Sequence, residues 1–299
     1  MRRLSPQLLA NKNHRLNENI MTKKKQQSIH ELVPYGLLAS RKWLKERGVK
    51  RHTLDNWVKS GQLVSIYHGV YTQPHAKITW EGIVCSLQRM GIGLFPGGIT
   101  VFHLNGDGHF LEMKKQKIVY LYGHSKLPNW VNTVLADIKF VQRDDRKINY
   151  NSGYVNHKYK AKHKMVLNND PLDYGFRTEV PWWGSDDWPL TVSTKERALF
   201  EVLLDVPNNI SFEYVDTLMQ GLVSLSPRRL NKLLEACQSI KVRRLFLWFS
   251  ERHNHVWLKK IDMDKFSMQN GELGHGKRML VKGGRLDSKY LITVPEEMK

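Results

Sequence analysis

Residues 40–72, SRKWLKERGVKRHTLDNWVKSGQLVSIYHGVYT, constrain the fold more tightly than any other stretch of this 299-residue chain. Ser40 is a good N-cap for a first helix whose apolar side carries Trp43 and Leu44. Gly48 and Val49 make the turn. A second helix over 51–60 puts Leu54, Trp57 and Val58 on one face and stops at Gly61. Its other face shows Arg51, His52, Asp55, Asn56 and Lys59. Residues 63–72 then alternate between β-branched or aromatic and polar side chains around Gly69, as a short hairpin does. Two helices, a tight turn and a wing are the outline of a winged helix-turn-helix. A helix face that mixes cations with Asn and His beside a wing suits a DNA major groove. The same small unit also serves to dock proteins, in which case that face is merely solvated.

Charge favours the nucleic-acid reading. The chain holds 47 Lys and Arg against 28 Asp and Glu, a formal net charge of +19. Such an excess is natural for a surface that neutralises phosphates and unusual for a cytosolic enzyme. Before Pro74 the acids are only Glu18, Glu31, Glu46 and Asp55, so the winged segment belongs to the most basic part of the molecule.

The remaining bounds are broad. The length allows two domains, and a hydrophobic share of 41% is ordinary for a globular chain. No apolar run reaches bilayer length, which predicts no membrane partner, and the basic N-terminus lacks the apolar core of a signal peptide, so a cytoplasmic location is expected. Met21 is an alternative start. Cys85 and Cys237 fall on apolar helical faces and read as core residues. The expected organisation is a disordered basic arm over 1–24, a winged helix-turn-helix over 25–75 and a mixed α/β domain over 76–299, giving an α+β fold.

Beyond the wing, a helix is expected from about 79 to 90, and strands over 117–122, 137–142 and 190–192. Residues 149–188 read as an aromatic, loop-rich stretch containing Trp182, Trp183 and Trp188. Ser193 and Glu196 have capping-box spacing ahead of Ala198, Leu199, Val202 and Leu203. Ser226 and Pro227 open a helix bearing Leu230, Leu233, Leu234 and Cys237. A third helix, 241–252, buries Val242, Leu245, Phe246 and Phe249, yet starts with Lys241, Arg243 and Arg244 at the unfavourable end of its dipole. Those cations either have a partner, internal carboxylates or a phosphate backbone, or form a merely solvated face. Residues 277–295 alternate like a hairpin turning at Gly283 and Gly284.

This order of features resembles the AbiE-type antitoxins (AbiEi) of type IV toxin–antitoxin, or abortive-infection, systems. The residues that carry the resemblance are HGVYT (68–72), STKERALFE (193–201), SPRRLNKLLEAC (226–237), KVRRLFLWFSERHNHVW (241–257) and GKRMLVKGGRLDSKYLITVP (276–295). The resemblance implies an autorepressor that binds inverted repeats in its own promoter, and a C-terminal domain that counteracts a nucleotidyltransferase-like toxin without needing a stable complex. No catalytic residues, no cofactor and no metal are expected. Carried onto this chain, the base-reading positions are Arg51, His52, Thr53 and Asn56, with Arg51 suited to guanine and Asn56 to adenine. Lys42, Lys45, Lys50 and Lys59 suit phosphates, Arg41 belongs to the same DNA-binding set, and His68 at the wing tip suits a minor groove. Lys50 stands where an N-capping Ser or Asp is usual. A second basic surface is expected from Arg228, Arg229, Lys241, Arg243, Arg244, Lys277 and Arg278.

Three rival readings stay open at this level. Asp107, Glu112 and Lys114 resemble the two carboxylates and lysine of Mg²⁺-dependent nucleases, although Asp107 sits in a Gly-flanked turn and close to Glu112. His253 and His255, with Cys237 upstream, have partial metal-ligand spacing. A purely protein-binding antitoxin, its basic surface meeting an acidic toxin, is the third.

Overall fold

The computed structural model describes residues 28–106, 117–148, 177–180, 188, 190–267 and 271–298. The arm over 1–24, Asp107, Glu112 and Lys114, and Trp182 and Trp183 lie outside the described residues.

The winged unit forms as its pattern requires. Helix α1 (Ile29–Leu32) opens with a capping box between Ser28 and Glu31. A short β1 (Ala39–Ser40) leads into α2 (Arg41–Glu46), whose N-cap Ser40 accepts from the Trp43 N–H at 3.2 Å. Gly48, at φ +86°, makes the turn to α3 (Arg51–Lys59). The wing is β2 (Val64–Tyr67) and β3 (Val70–Thr72), and the antiparallel sheet runs β1-β3-β2, with β2 at the edge. Leu32, Val33, Trp43, Leu44, Leu54, Leu63 and Tyr71 form the small core beneath.

This unit is seated on the helix that follows it. In α4 (Trp80–Arg89), capped by Thr79, the buried Ser86 hydroxyl accepts from the Leu38 N–H at 2.8 Å. The Trp43 indole N–H donates to the Arg89 carbonyl, and the Thr72 hydroxyl to that of Leu37. Leu37, Leu38 and Val70 consequently join the large core with Trp80, Ile83 and Val84.

The rest is mixed, and the chain is α+β as expected. Strand β4 (Phe95–Pro96) pairs antiparallel with β5 (Lys117–Tyr122), and α5 (Ile99–Leu104) lies between them in sequence. After α6 (Val131–Val134), β6 (Ile138–Arg143) joins β5 in parallel. Strand β7 (Arg177–Val180) pairs antiparallel with β8 (Leu190–Ser193). Helices α7 (Lys195–Asp205), α8 (Phe212–Gly221), α9 (Pro227–Ala236) and α10 (Ile240–His253) follow. A 3-10 turn, Val256–Lys260, leads on to β9 (Arg285–Asp287), antiparallel to β10 (Ile292–Val294).

Two local expectations are corrected. The N-cap of α7 is Thr194, which accepts from the Arg197 N–H. Ser193 instead ends β8 and donates to Glu201 at 2.9 Å, because the strand runs one residue further than its apolar pattern. Gly283 and Gly284 precede β9 rather than turn the hairpin, which turns between Asp287 and Ile292. Gly284 is needed for a close approach: a Cβ there would lie 2.4 Å from the Val294 carbonyl oxygen.

The core helix α7 also carries charge inward. Arg197 and Glu201 are fully buried and paired at 2.8 Å, and Arg197 reaches Asp145 at 2.6 Å. Glu201 accepts in addition from the Gly98 N–H and the Ser193 hydroxyl. Burial raises its pKa, opposed by Arg197 and the Gly98 N–H. A Cβ on Gly97 would fall 2.1 Å from a Glu201 oxygen, so glycine is what lets this backbone approach the carboxylate.

The cations at the start of α10 find neither of the expected partners alone; most of what they meet is backbone carbonyl. Lys241 donates to Leu204 and Val206 at the end of α7, both at 2.6 Å. Arg243 donates to Leu234 and Glu235 at the end of α9, and to the Glu272 carbonyl and carboxylate. Arg244, fully buried, donates to the carbonyls of Leu273, Gly274, Gly276 and Leu291. Helix C-termini present unsatisfied carbonyls and partial negative charge, so α10 supplies cationic caps to two other helices.

Replacing Arg244 with Met would leave those carbonyls without their donor, at a cost of about 3 kcal/mol. The exposed Arg228→Met should stay within about 0.5 kcal/mol of wild type. Equilibrium urea unfolding compares the two; equal midpoints would refute the role of Arg244 as donor to those carbonyls.

Candidate nucleic-acid interface

The second helix of the winged unit is held by one side only. Leu54 is buried at 3% exposure, with Trp57 and Val58 half-buried beside it. Arg51, His52, Asn56 and Lys59 are exposed, and Asp55 and Thr53 are half-buried at the border. Gly61, at φ +73°, ends the helix, and the Trp57 carbonyl accepts from both the Gln62 and Leu63 N–H groups as the chain turns into the wing. A 3.6-residue period therefore splits α3 into a core face and a polar face.

Lys50 occupies the N-cap in extended conformation and makes no side-chain cap bond. The first N–H groups of α3 thus lack the acceptor that Ser40 supplies to α2. Arg51 and Asp55, one turn apart, approach to 3.8 Å in a largely exposed pair that contributes little to stability. Lys42 and Lys45 project from α2 and are exposed.

The wing brings a third element to the same place. The Arg41 N–H donates to the Gly69 carbonyl at 2.8 Å, tying the start of α2 to the wing turn that bears the exposed His68. The Arg41 guanidinium donates to the Tyr71 hydroxyl, from Nε at 3.2 Å and from Nη2 at 2.7 Å. That hydrogen bond, and then the fields of Tyr71 and Asp55, raise the Arg41 pKa, with its small burial opposing. On the wing itself, Tyr67 and Val64 are exposed at 40% and 38% in the edge strand. Sequence reasoning passed over Tyr67 and Tyr71. The available signal was the alternation in 63–72, which sends neighbouring tyrosine and valine side chains to opposite faces.

The second basic surface is not one surface. Arg228, Lys277 and Arg278 are exposed, whereas Arg229 is half-buried and lies 3.6 Å from Glu196. Lys241 and Arg243 are spent on helix-end carbonyls, and burial lowers the Lys241 pKa. Arg244 is wholly inside, with its pKa lowered by burial and by Arg278. The expectation of an exposed set fails for those three because backbone carbonyls, at helix C-termini for Lys241 and Arg243 and in residues 273–291 for Arg244, compete for cations as effectively as solvent does.

The residues weighed for a metal take other partners. His253 meets Asp216 at 2.8 Å, and His255 meets the Met219 carbonyl at 2.7 Å. Cys237 is buried with its thiol on the Ser239 carbonyl, and burial pushes its pKa to about 11. Cys85 is buried too, pushed up to about 12. Elsewhere His124, Asp144 and Asp145 gather within 4.8 Å, but Arg146 forks onto Asp144 and Arg197 onto Asp145. A polar cleft of about 530 Å³ between α8, α10 and β9 is lined by Asp216, Trp248 and Arg252, with Asp216 already engaged by Arg252. Among the described residues no helix is long and apolar enough to cross a membrane.

Comparison with known proteins fits this arrangement. A family model described as transcriptional regulator, AbiEi antitoxin, type IV TA system matches residues 115–295. A second, described as the AbiEi antitoxin N-terminal domain of such a transcriptional regulator, matches residues 22–113. Among solved structures, the crystal structure of the RV2827C protein from Mycobacterium tuberculosis is similar at 13% identity and a TM-score of 0.45, over 86% of this chain and 85% of that one. No curated protein matches the chain.

The uncapped start of α3 has a stability consequence. Lys50→Ser restores a capping hydroxyl and should raise stability by about 1 kcal/mol in urea unfolding. No gain would mean that another group already satisfies those N–H donors.

Proposed function

Since the chain belongs to the AbiEi antitoxins, transcriptional regulators of type IV toxin–antitoxin systems, we propose that it represses its own promoter by binding inverted repeats there through α3 and the wing. The observation that carries this reading is the polar face of α3, exposed beside a wing whose turn is fastened to α2. Arg51, His52, Thr53 and Asn56 read base edges in the major groove. Arg41, Lys42, Lys45, Lys50 and Lys59 meet phosphates, and His68 enters the adjacent minor groove. The uncapped N–H groups behind Lys50 favour a phosphate at the same point.

The reader occupies residues 25–75. The domain over 76–299 counteracts a nucleotidyltransferase-like toxin, in the cytoplasm and without catalysis of its own. The exposed Arg228, Lys277 and Arg278 remain available there for an acidic partner.

A salt-titrated binding assay on the DNA upstream of the gene, against a scrambled duplex, tests the reading. Tight binding at physiological salt on the native duplex alone is expected. Equal binding to both, vanishing as salt rises, would leave only a basic surface. In the same assay Arg51→Ala should cost about 1–3 kcal/mol on the native site and relax base preference. An equal loss on every duplex would make Arg51 a phosphate contact instead.

A further inference from the structure

Arg41 differs from the other cations of this face. Among the described residues, no hydrogen bond or ion pair restrains the side chains of Lys42, Lys45, Lys50 or Lys59. Arg41 is exposed like them, yet its guanidinium is tethered side-on by the Tyr71 hydroxyl. Tyr71 is itself buried at 4% exposure, fixed in the central strand of the wing sheet opposite Ala39 and Ser65. A rigid strand therefore holds one end of a long, solvent-facing side chain. Backbone adds to this, because the Arg41 N–H is bonded to Gly69 in the wing turn.

The geometry of the tether determines what remains. A guanidinium has five N–H donors in a planar fork. Tyr71 uses the Nε–H and one Nη2–H, the side-on edge. One Nη1–H and the second Nη2–H form the end-on edge, which matches two oxygens of a phosphate. Asp55 on α3 also contributes to the field at Arg41. An exposed arginine gains little stability from being ordered, whereas a pre-ordered one binds an anion without paying its rotamer entropy at that moment.

We propose that Tyr71 is a positioning residue that presets Arg41 as a bidentate phosphate clamp at the root of the wing. The proposal rests on the DNA-binding reading above and adds a residue that touches no DNA itself. Tyr71 acts on affinity through Arg41, and it carries no sequence preference.

The test is a double-mutant cycle on the full chain, using the upstream duplex and a scrambled one over a range of salt. Tyr71→Phe keeps the buried ring and removes only the hydroxyl, and its thermal midpoint checks folding. It should weaken binding about 2- to 10-fold, the ordering cost of one long side chain, on both duplexes alike and with an unchanged salt slope. Arg41→Ala should weaken binding and lower the salt slope by about 0.9, one phosphate contact. In the Arg41→Ala background, Tyr71→Phe should have no further effect. Wild-type affinity for Tyr71→Phe, or an undiminished loss in the absence of Arg41, would overturn the proposal. A wild-type chain that binds neither duplex would instead defeat the DNA reading on which it stands.

Discussion

A guanidinium buried without a carboxylate must find its hydrogen bonds on backbone, and Arg244 does so on four carbonyls from two separate stretches, 273–276 and Leu291. Those contacts place the C-terminal segment against α10, whose Val242, Leu245, Phe246, Leu247 and Phe249 form the middle of the large core. Lys241 and Arg243 do the same for the ends of α7 and α9. Three helices and the C-terminal hairpin are thus registered by one turn of one helix. The charge there opposes the helix's own dipole and is offset by the carbonyl ends of its neighbours.

The winged unit depends on a similar economy at smaller scale. Its core is too small to stand far from other elements, and it borrows α4, through Leu38 and Ser86 and through Trp43 and Arg89. Cation–π contacts extend that seam: the Arg47 guanidinium lies 3.6 Å from the Trp43 ring centroid, and Arg89 lies between Trp43 and Trp188. With that side committed to packing, the polar face of α3 and the wing turn are what remains for a partner. The exposure of Arg51, His52 and Asn56 is therefore a consequence of where the apolar residues had to go.

Local patterns were readable wherever one face of an element is apolar and its ends are capped. Ser40, Gly48 and Gly61 marked the helices of the winged unit, and Leu230, Leu233 and Leu234 marked α9. Helix α8 escaped notice although Ser211 caps it and Phe212, Val215, Leu218 and Met219 line it, because its other face mixes polar with further apolar residues. Strands β4 and β7 were missed for a different reason: a two-residue strand and one with alternating charge carry too little periodicity to register. Ser193 was misplaced as a cap since two adjacent residues, Ser193 and Thr194, offer the same chemistry and only the strand's length separates them.

The sequence by itself determined the winged helix-turn-helix, helices α7, α9 and α10 and the family, since each rests on patterns within a few turns of chain or on order along it. Only the tertiary structure decided which charges face outward. Arg243, Arg244 and Arg41 look alike in a string, but backbone carbonyls drew the first two inward, and a strand hydroxyl holds the third at the surface. Among their partners, Glu272 of Arg243, Leu273 of Arg244 and Tyr71 of Arg41 lie 29, 29 and 30 residues away, and separations of that kind are created by folding. A cation's role is set by the acceptor it meets, and no local pattern encodes that meeting.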